Sequence, residues 1–248
     1  MKPTNPVLRL TPTSGFTLVE MAIVLAIVAL LLGGLLPVIS AQVEQQRRNE
    51  TRKQMEEIKE ALIGYAMING TLPCPTIEND PASANYGIAQ AACPSDVAAD
   101  GYLPWRTLGV AETDAWGSKR SDISSPWTGY WRYRVDRKFA VSFTLGTGFT
   151  SCSGPLLDCL TIRDNNGVAL TTTSERPVAI VFSTGPNVTA DGRNAKTDYE
   201  ATDGIYQSDV PRADDQSTIG INEEFDDIMI WISRPQLFNR MVTAGKLP

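Results

Sequence analysis

An α+β fold is predicted: a long N-terminal spine helix, transmembrane in its first part, packed against a mostly antiparallel β-sheet head. Three observations predict it. An almost unbroken apolar run from Phe16 to Ile39 passes without a turn signal into a polar and then amphipathic stretch that reaches Asn69. Residues 71–128 are rich in Pro, Gly, Ala and Asp, as connecting loops are. Short β-branched and aromatic runs then recur at Tyr130–Val135, Phe139–Leu145, Val178–Ser183 and Ile228–Ile232.

The helix divides by composition. The run from Phe16 to Ile39 is about 36 Å long as a helix, against a hydrocarbon layer of about 30 Å, so it can span with some tilt. Met1 to Gly15 carries Lys2 and Arg9 and has no apolar stretch of its own, which reads as a short basic leader. These are the only charges before the span, and the positive-inside bias places them in the cytoplasm and the head outside. From Gln42 the chain is strongly polar. It then becomes amphipathic, with Met55, Ile58, Leu62 and Tyr65 at three- and four-residue spacing, so one face must be covered by the head. Asn69-Gly70 followed by Leu72-Pro73 ends the helix.

Inside the apolar run stands Glu20. A carboxylate at membrane depth costs a few kcal/mol unless something pairs with it. A cut between Gly15 and Phe16 would create an amine one helical turn away, able to pair with Glu20 of a neighbouring subunit. Gly15-Phe16-Thr17-Leu18-Val19-Glu20 resembles the cleavage and methylation motif of type IV prepilins and type II secretion pseudopilins. The resemblance implies a type IV pilin-like fold, removal of the leader by prepilin peptidase after Gly15, N-methylation of Phe16, and a role for Glu20 in methylation and assembly. It also implies as partners the prepilin peptidase/N-methyltransferase, other pilins or pseudopilins, an inner-membrane assembly platform and membrane lipid. Pro37 falls where pilins often loosen the helix, and Gly33-Gly34 adds to that effect. The expected organisation is a leader over 1–15, a membrane helix over 16–39, a spine helix over 40–70 and a periplasmic head over 71–248. Two rivals are an ordinary anchor with a chance glutamate, which the cost of a carboxylate at membrane depth argues against, and a secretory signal cut after Ala41, which the length of the run, Glu20 and the absence of a break before the next helix argue against.

Composition narrows the function classes. The net charge is −6, with no basic stripe to neutralise phosphates, so nucleic acid is not an expected partner. The chain has no histidine, which removes the usual general base and zinc ligand. No Gly-x-Ser-x-Gly turn or phosphate-binding glycine loop is present either, and no enzymatic activity is expected. The four cysteines, Cys74, Cys93, Cys152 and Cys159, suit an oxidising compartment. Three pairings are possible, and the shortest loops favour Cys74 with Cys93 and Cys152 with Cys159. Their spacing does not suit zinc.

In the head, Tyr86, Tyr102, Trp105 and Trp116 are expected to cover the spine, and exposed aromatics at Trp105 or Trp127 would instead suggest a binding module at a filament tip. A short helix is expected from Pro235 to Gly245, facing the sheet through Leu237, Phe238, Met241 and Val242. Asp114-Ala115-Trp116-Gly117, Ser183-Thr184-Gly185-Pro186-Asn187 and Asp226-Asp227-Ile228 resemble, in order, head landmarks of the major type II secretion pseudopilins. That resemblance implies a structural calcium held in part by Asp226 and Asp227, which suits a hard cation. The chain departs from the pattern in its cysteines and in a long insert before Asp226 containing Asp191, Asp198, Asp203, Asp209, Asp214 and Asp215. These acids would complete a site or simply be solvated. The resulting expectation is a structural filament subunit, a minor pseudopilin of a type II secretion pseudopilus or a minor pilin of a type IV pilus.

Overall fold

The computed structural model describes residues 15–78, 80–93, 100–117, 130–143, 159–164, 166–186, 190–194, 204–208 and 225–247, with the side chains of 32–39 and of 100 outside that description. The elements in chain order are α1 (Leu18–Asn69), β1 (Asp100–Tyr102), α2 (Trp105–Leu108), β2 (Arg132–Val135), β3 (Thr161–Arg163), β4 (Pro177–Ser183), β5 (Ile205–Gln207), β6 (Ile228–Ser233) and α3 (Arg234–Thr243). The chain divides into two compact units, Met1–Gln46 and Arg47–Pro248, with the boundary inside α1.

In the first unit the apolar side chains described are exposed, among them Phe16 at 85% and Leu18 at 86%. Among the described residues no helix is long and apolar enough to cross a membrane. The second part of the apolar run, 32–39, has no side chains in the description, so the spanning role expected of 16–39 is taken up below as a proposal.

In the second unit, Met55, Ile58, Leu62, Ile63 and Ala66 of α1 are buried in the main core. Tyr65 is only half-buried, so the inward stripe passes through Ile63 and Ala66. The helix ends at Gly70, whose φ of 72° is the left-handed conformation that glycine adopts without strain, and whose N–H reaches the Ala66 carbonyl at 2.8 Å.

The main sheet has the order β1-β2-β4-β6, and every pairing in it is antiparallel. Successive side chains on a strand point to opposite faces, which explains why β4 is buried throughout. Ala179 and Val181 join Tyr133, Val135 and Ile232 in the core that contains α1. Ile180 and Phe182 pack with Ile162 and Tyr206 of β3 and β5, a separate two-stranded parallel pair. α3 lays Leu237, Phe238 and Met241 into the main core. Ser233 caps α3 by accepting from the Gln236 N–H, and Val242 is exposed.

Several sequence expectations are corrected. The loop region holds β1 as well as the short α2, and the strands β3 and β5, each three residues long, gave too little alternation to be read. No strand begins at Phe139: Asp136 accepts the Lys138 N–H at 3.1 Å and caps a 3-10 turn over Arg137–Phe139. Phe139 and Phe143 then meet ring edge to ring face at 5.0 Å and pack on Phe238. Residues 144 and 145 lie outside the described residues. Tyr86, Tyr102 and Trp105 do not cover α1; with Tyr130 they form a cluster of their own. Trp105 is 5% exposed and offers no aromatic contact surface, while Trp127 lies outside the described residues.

Candidate functional site

Gly15, Phe16, Thr17 and Glu20 are all exposed at the start of α1. Glu20 has a partner within its own chain: Oε2 accepts the Thr17 N–H at 2.9 Å and the Thr17 hydroxyl at 2.9 Å. The Glu20 N–H in turn donates to Thr17 Oγ1 at 3.2 Å. This is a capping box, in which a threonine and a glutamate three residues later satisfy backbone donors at a helix start. Its Thr-x-x-Glu signature is legible in the sequence, and it gives Glu20 a partner within its own chain besides the one expected on a neighbouring subunit.

The head landmarks converge. Thr113 bridges to Tyr130 beside the Asp114 turn, and Asp114 Oδ1 accepts the Trp116 N–H at 3.0 Å. The Ala115 N–H reaches Thr51 Oγ1 on α1 at 3.4 Å. Asp114 Oδ2 accepts the Ser183 hydroxyl, and Ser183 Oγ accepts the Gly185 N–H at 3.1 Å. Burial raises the Asp114 carboxyl above its ordinary value, while the Ser183 hydroxyl and the Trp116 N–H pull it back. Gly185 has a φ of 62°, and a Cβ there would lie 2.6 Å from the Asp226 carbonyl oxygen, so glycine is what lets this turn close onto Asp226.

Behind the turn, carboxylate oxygens of Asp191, Asp226 and Asp227 all lie within 4.8 Å of one another. Backbone amides hold the arrangement: the Asp226 N–H donates to Asp191 Oδ2 at 2.8 Å, and the Asp191 N–H donates to Asp227 Oδ2 at 3.0 Å. Buried Asn194 donates through Nδ2 to Asp227 Oδ2 at 2.9 Å and to the Gln207 carbonyl at 2.8 Å, and accepts the Gln207 N–H at 2.9 Å. Asp227 is 7% exposed, and its Oδ1 is buried without a hydrogen-bond partner among the described residues. Burial raises its carboxyl to about 7, opposed by the Asp191 N–H and Asn194, and assisted by the charges of Asp191 and Asp226.

The donor set fits a hard cation, because it offers three carboxylates, one of them with a buried unused oxygen that a cation would satisfy. Asp226 and Asp227, expected from the sequence, are thus joined by Asp191 from the insert. Asp198, Asp203, Asp209, Asp214, Asp215 and Asn187 lie outside the described residues.

Cys74 and Cys93 form a disulfide with an S–S distance of 2.06 Å. Cys159 is buried and also disulfide-bonded; its expected partner, Cys152, lies outside the described residues.

Residues 11–36 match the prokaryotic N-terminal methylation motif. The chain is prepilin-like. The match spans Gly15, Phe16 and Glu20 and supports a type IV pilin-like or pseudopilin subunit, implying processing by prepilin peptidase and assembly with other pilins. No curated protein and no solved structure matches this prepilin-like chain.

Proposed function

We propose that the chain is a non-catalytic structural subunit, cut after Gly15, methylated on Phe16 and assembled as a minor component of a type II secretion pseudopilus. The observation that carries this reading is the methylation motif over 11–36, placed at the start of a helix of 52 residues. The exposed apolar side chains at the start of α1 support it, since such a surface needs lipid before assembly and neighbouring helices after it. On this reading residues 16–39 sit in the inner membrane with the head in the periplasm, and the helix is drawn out into the fibre. Glu20 would exchange its Thr17 cap for the amine of a neighbouring Phe16.

The ordered landmarks around Asp114, Ser183 and Asp226 favour a pseudopilin, because the structure brings them into contact. A minor pilin of a type IV pilus is the second reading; the size of the head favours a minor component in either system. The acidic cluster adds a structural calcium to either: Asp191, Asp226 and Asp227 would hold it, and its charge would relieve their mutual repulsion.

The test is the intact mass and N-terminal fragmentation of membrane-extracted protein expressed with and without prepilin peptidase. A peptidase-dependent start at methylated Phe16 is expected. A start at Gln42, or an uncut Met1, overturns the reading.

A further inference from the structure

The two edges of the main sheet differ. At β1, Thr76 adds one residue of pairing and exchanges two backbone hydrogen bonds of 3.0 Å with Tyr102. At the other edge, β6 pairs only with β4 among the described residues. Successive residues of a strand turn their backbone groups to opposite sides, and the pairing fixes which side each one takes. The Asp136 N–H donates to the Val178 carbonyl, so Val178, Ile180 and Phe182 turn toward β2. Ala179, Val181 and Ser183 turn toward their partners Ile232, Ile230 and Ile228 on β6. The Arg234 N–H, which donates to the Arg176 carbonyl at 3.2 Å, keeps the same alternation. Met229 and Trp231 therefore point their N–H and C=O groups out of the sheet edge, where these groups make no hydrogen bond among the described residues.

A shallow groove of about 290 Å³ follows this edge, lined by Lys59, Met229, Ile230, Trp231, Ser233 and Gln236. Its three hydrophobic residues are only half-buried. β6 carries no charge and no proline, two of the devices by which open edges resist pairing. Ile230 packs toward the core that contains α1, and Met229 and Trp231 pack toward the cluster of Ile180 and Phe182. Lys59 of α1 is the one charged side chain among the described lining residues. It is 17% exposed and lies 3.5 Å from Glu56, whose own side chain is 64% exposed. An ammonium carries three donors, more than that single surface pairing uses.

We propose that the β6 edge binds an extended segment of another protein as a fifth strand of the main sheet, with an acidic residue between two apolar ones. An extended chain presents N–H and C=O groups at the two-residue spacing of Met229 and Trp231. Directly opposed residues of paired strands share a face of the sheet. The two residues opposite Met229 and Trp231 therefore lie beside those apolar side chains. The residue between them lies opposite Ile230, on the face where α1 carries Lys59. A glutamate at that position meets the Lys59 ammonium, and a lysine there meets a like charge. The proposal goes beyond the filament reading and does not depend on it.

The probe is acetyl-Ser-Val-Glu-Val-Ser-amide, titrated into the full-length, isotope-labelled chain in detergent micelles and followed by amide NMR signals. Its controls are the peptide with Lys in place of Glu, the peptide N-methylated at both valines, and the peptide N-methylated at the glutamate. Saturable shifts centred on the Met229 and Trp231 amides are expected. The Lys peptide should bind about fivefold more weakly, the size of one half-buried ion pair. Methylating the valines removes the donors that face β6 and should abolish binding, whereas the glutamate nitrogen points away and its methylation should leave binding nearly unchanged. Lys59→Gln should erase the preference for Glu over Lys. Met229→Pro removes an outward-facing donor without costing a bond to β4, and it should abolish binding. An unchanged melting temperature verifies that each variant folds; if Met229→Pro does not, Lys59→Gln and the methylated peptides decide. Equal binding of the Glu and Lys peptides, equal loss from the two methylations, or shifts confined to other residues overturns the proposal. The absence of any shift also overturns it and leaves Lys59 as a charge that guards the edge. So do concentration-dependent shifts of the same amides without peptide, which would assign the edge to a second copy of the chain.

Discussion

The Ser183 hydroxyl at the end of β4 donates to the carboxylate of Asp114, sixty-nine positions earlier, and both residues are buried. Through Ala115 and Thr51 the same turn touches α1, and through Gly185 it abuts Asp226, so one polar chain runs from the spine to the acidic cluster. Removing one end leaves a buried acceptor without its donor. Ser183→Ala is therefore expected to destabilise the head by about 1–3 kcal/mol, measured by urea unfolding. Asp114→Asn should cost a similar amount, because its single amide oxygen can keep the Ser183 hydroxyl or the Trp116 N–H but not both.

Asp227 gives the head a pH dependence whose sign is fixed by where its proton sits. In the folded head its carboxyl holds a proton up to about pH 7, whereas the ordinary value is 3.8. Between those limits the folded state binds more protons than the unfolded state, so this group's contribution is favourable at low pH and is lost as pH rises from about 4 to about 7. Melting temperatures in chelator should fall across that window. Added calcium should reduce the fall, and Asp227→Asn should remove most of it. A chelated wild-type head whose melting temperature rises across that window would contradict the assignment.

What was legible in the sequence followed how strongly each signal repeats. The apolar stripe on α1 repeats over several turns, and β4 and β6 carry long β-branched runs, so these were readable. β3 and β5 hold three residues each, and their parallel pairing joins segments far apart in the chain. Phe139 looked like a strand residue because it is aromatic and follows one; the cap from Asp136 and the Phe238 ring decided otherwise. At the acidic site, Asp226 and Asp227 were legible by resemblance. Asp191 was one acid among many in the insert, and only the fold selects it. Asn194 gave no signal at all, since an asparagine that holds a carboxylate reads in sequence as a turn residue.

Gly185→Ala tests how tightly the Ser183 turn is packed on the acidic cluster. The new methyl group would meet the Asp226 carbonyl oxygen at 2.6 Å and its carboxyl carbon at 2.7 Å, and alanine disfavours a φ of 62°. A loss of about 1–3 kcal/mol in stability is expected from the backbone strain, read by thermal or urea unfolding. If calcium binds as proposed, its affinity should fall in the same variant, read by calorimetry.

The buried pair of Arg234 and Asp136 ties the start of α3 to the turn after β2. The guanidinium lies 3.3 Å from the carboxylate, with side-chain exposures of 6% and 0%, and stands 5.7 Å from the centre of the Phe139 ring. Burying both charges costs desolvation that their attraction only partly offsets, so the pair contributes less net stability than its geometry suggests. Removing one partner is a different matter, because the other stays buried and loses this opposite charge. Arg234→Met is expected to cost about 3–5 kcal/mol in urea unfolding. Asp136→Leu should cost a similar amount and also release the cap of the 3-10 turn. The double variant Arg234→Met/Asp136→Leu should recover much of the loss, because neither charge of this pair remains buried. A double variant as unstable as the sum of the singles would show that the two side chains act through their other neighbours rather than through each other.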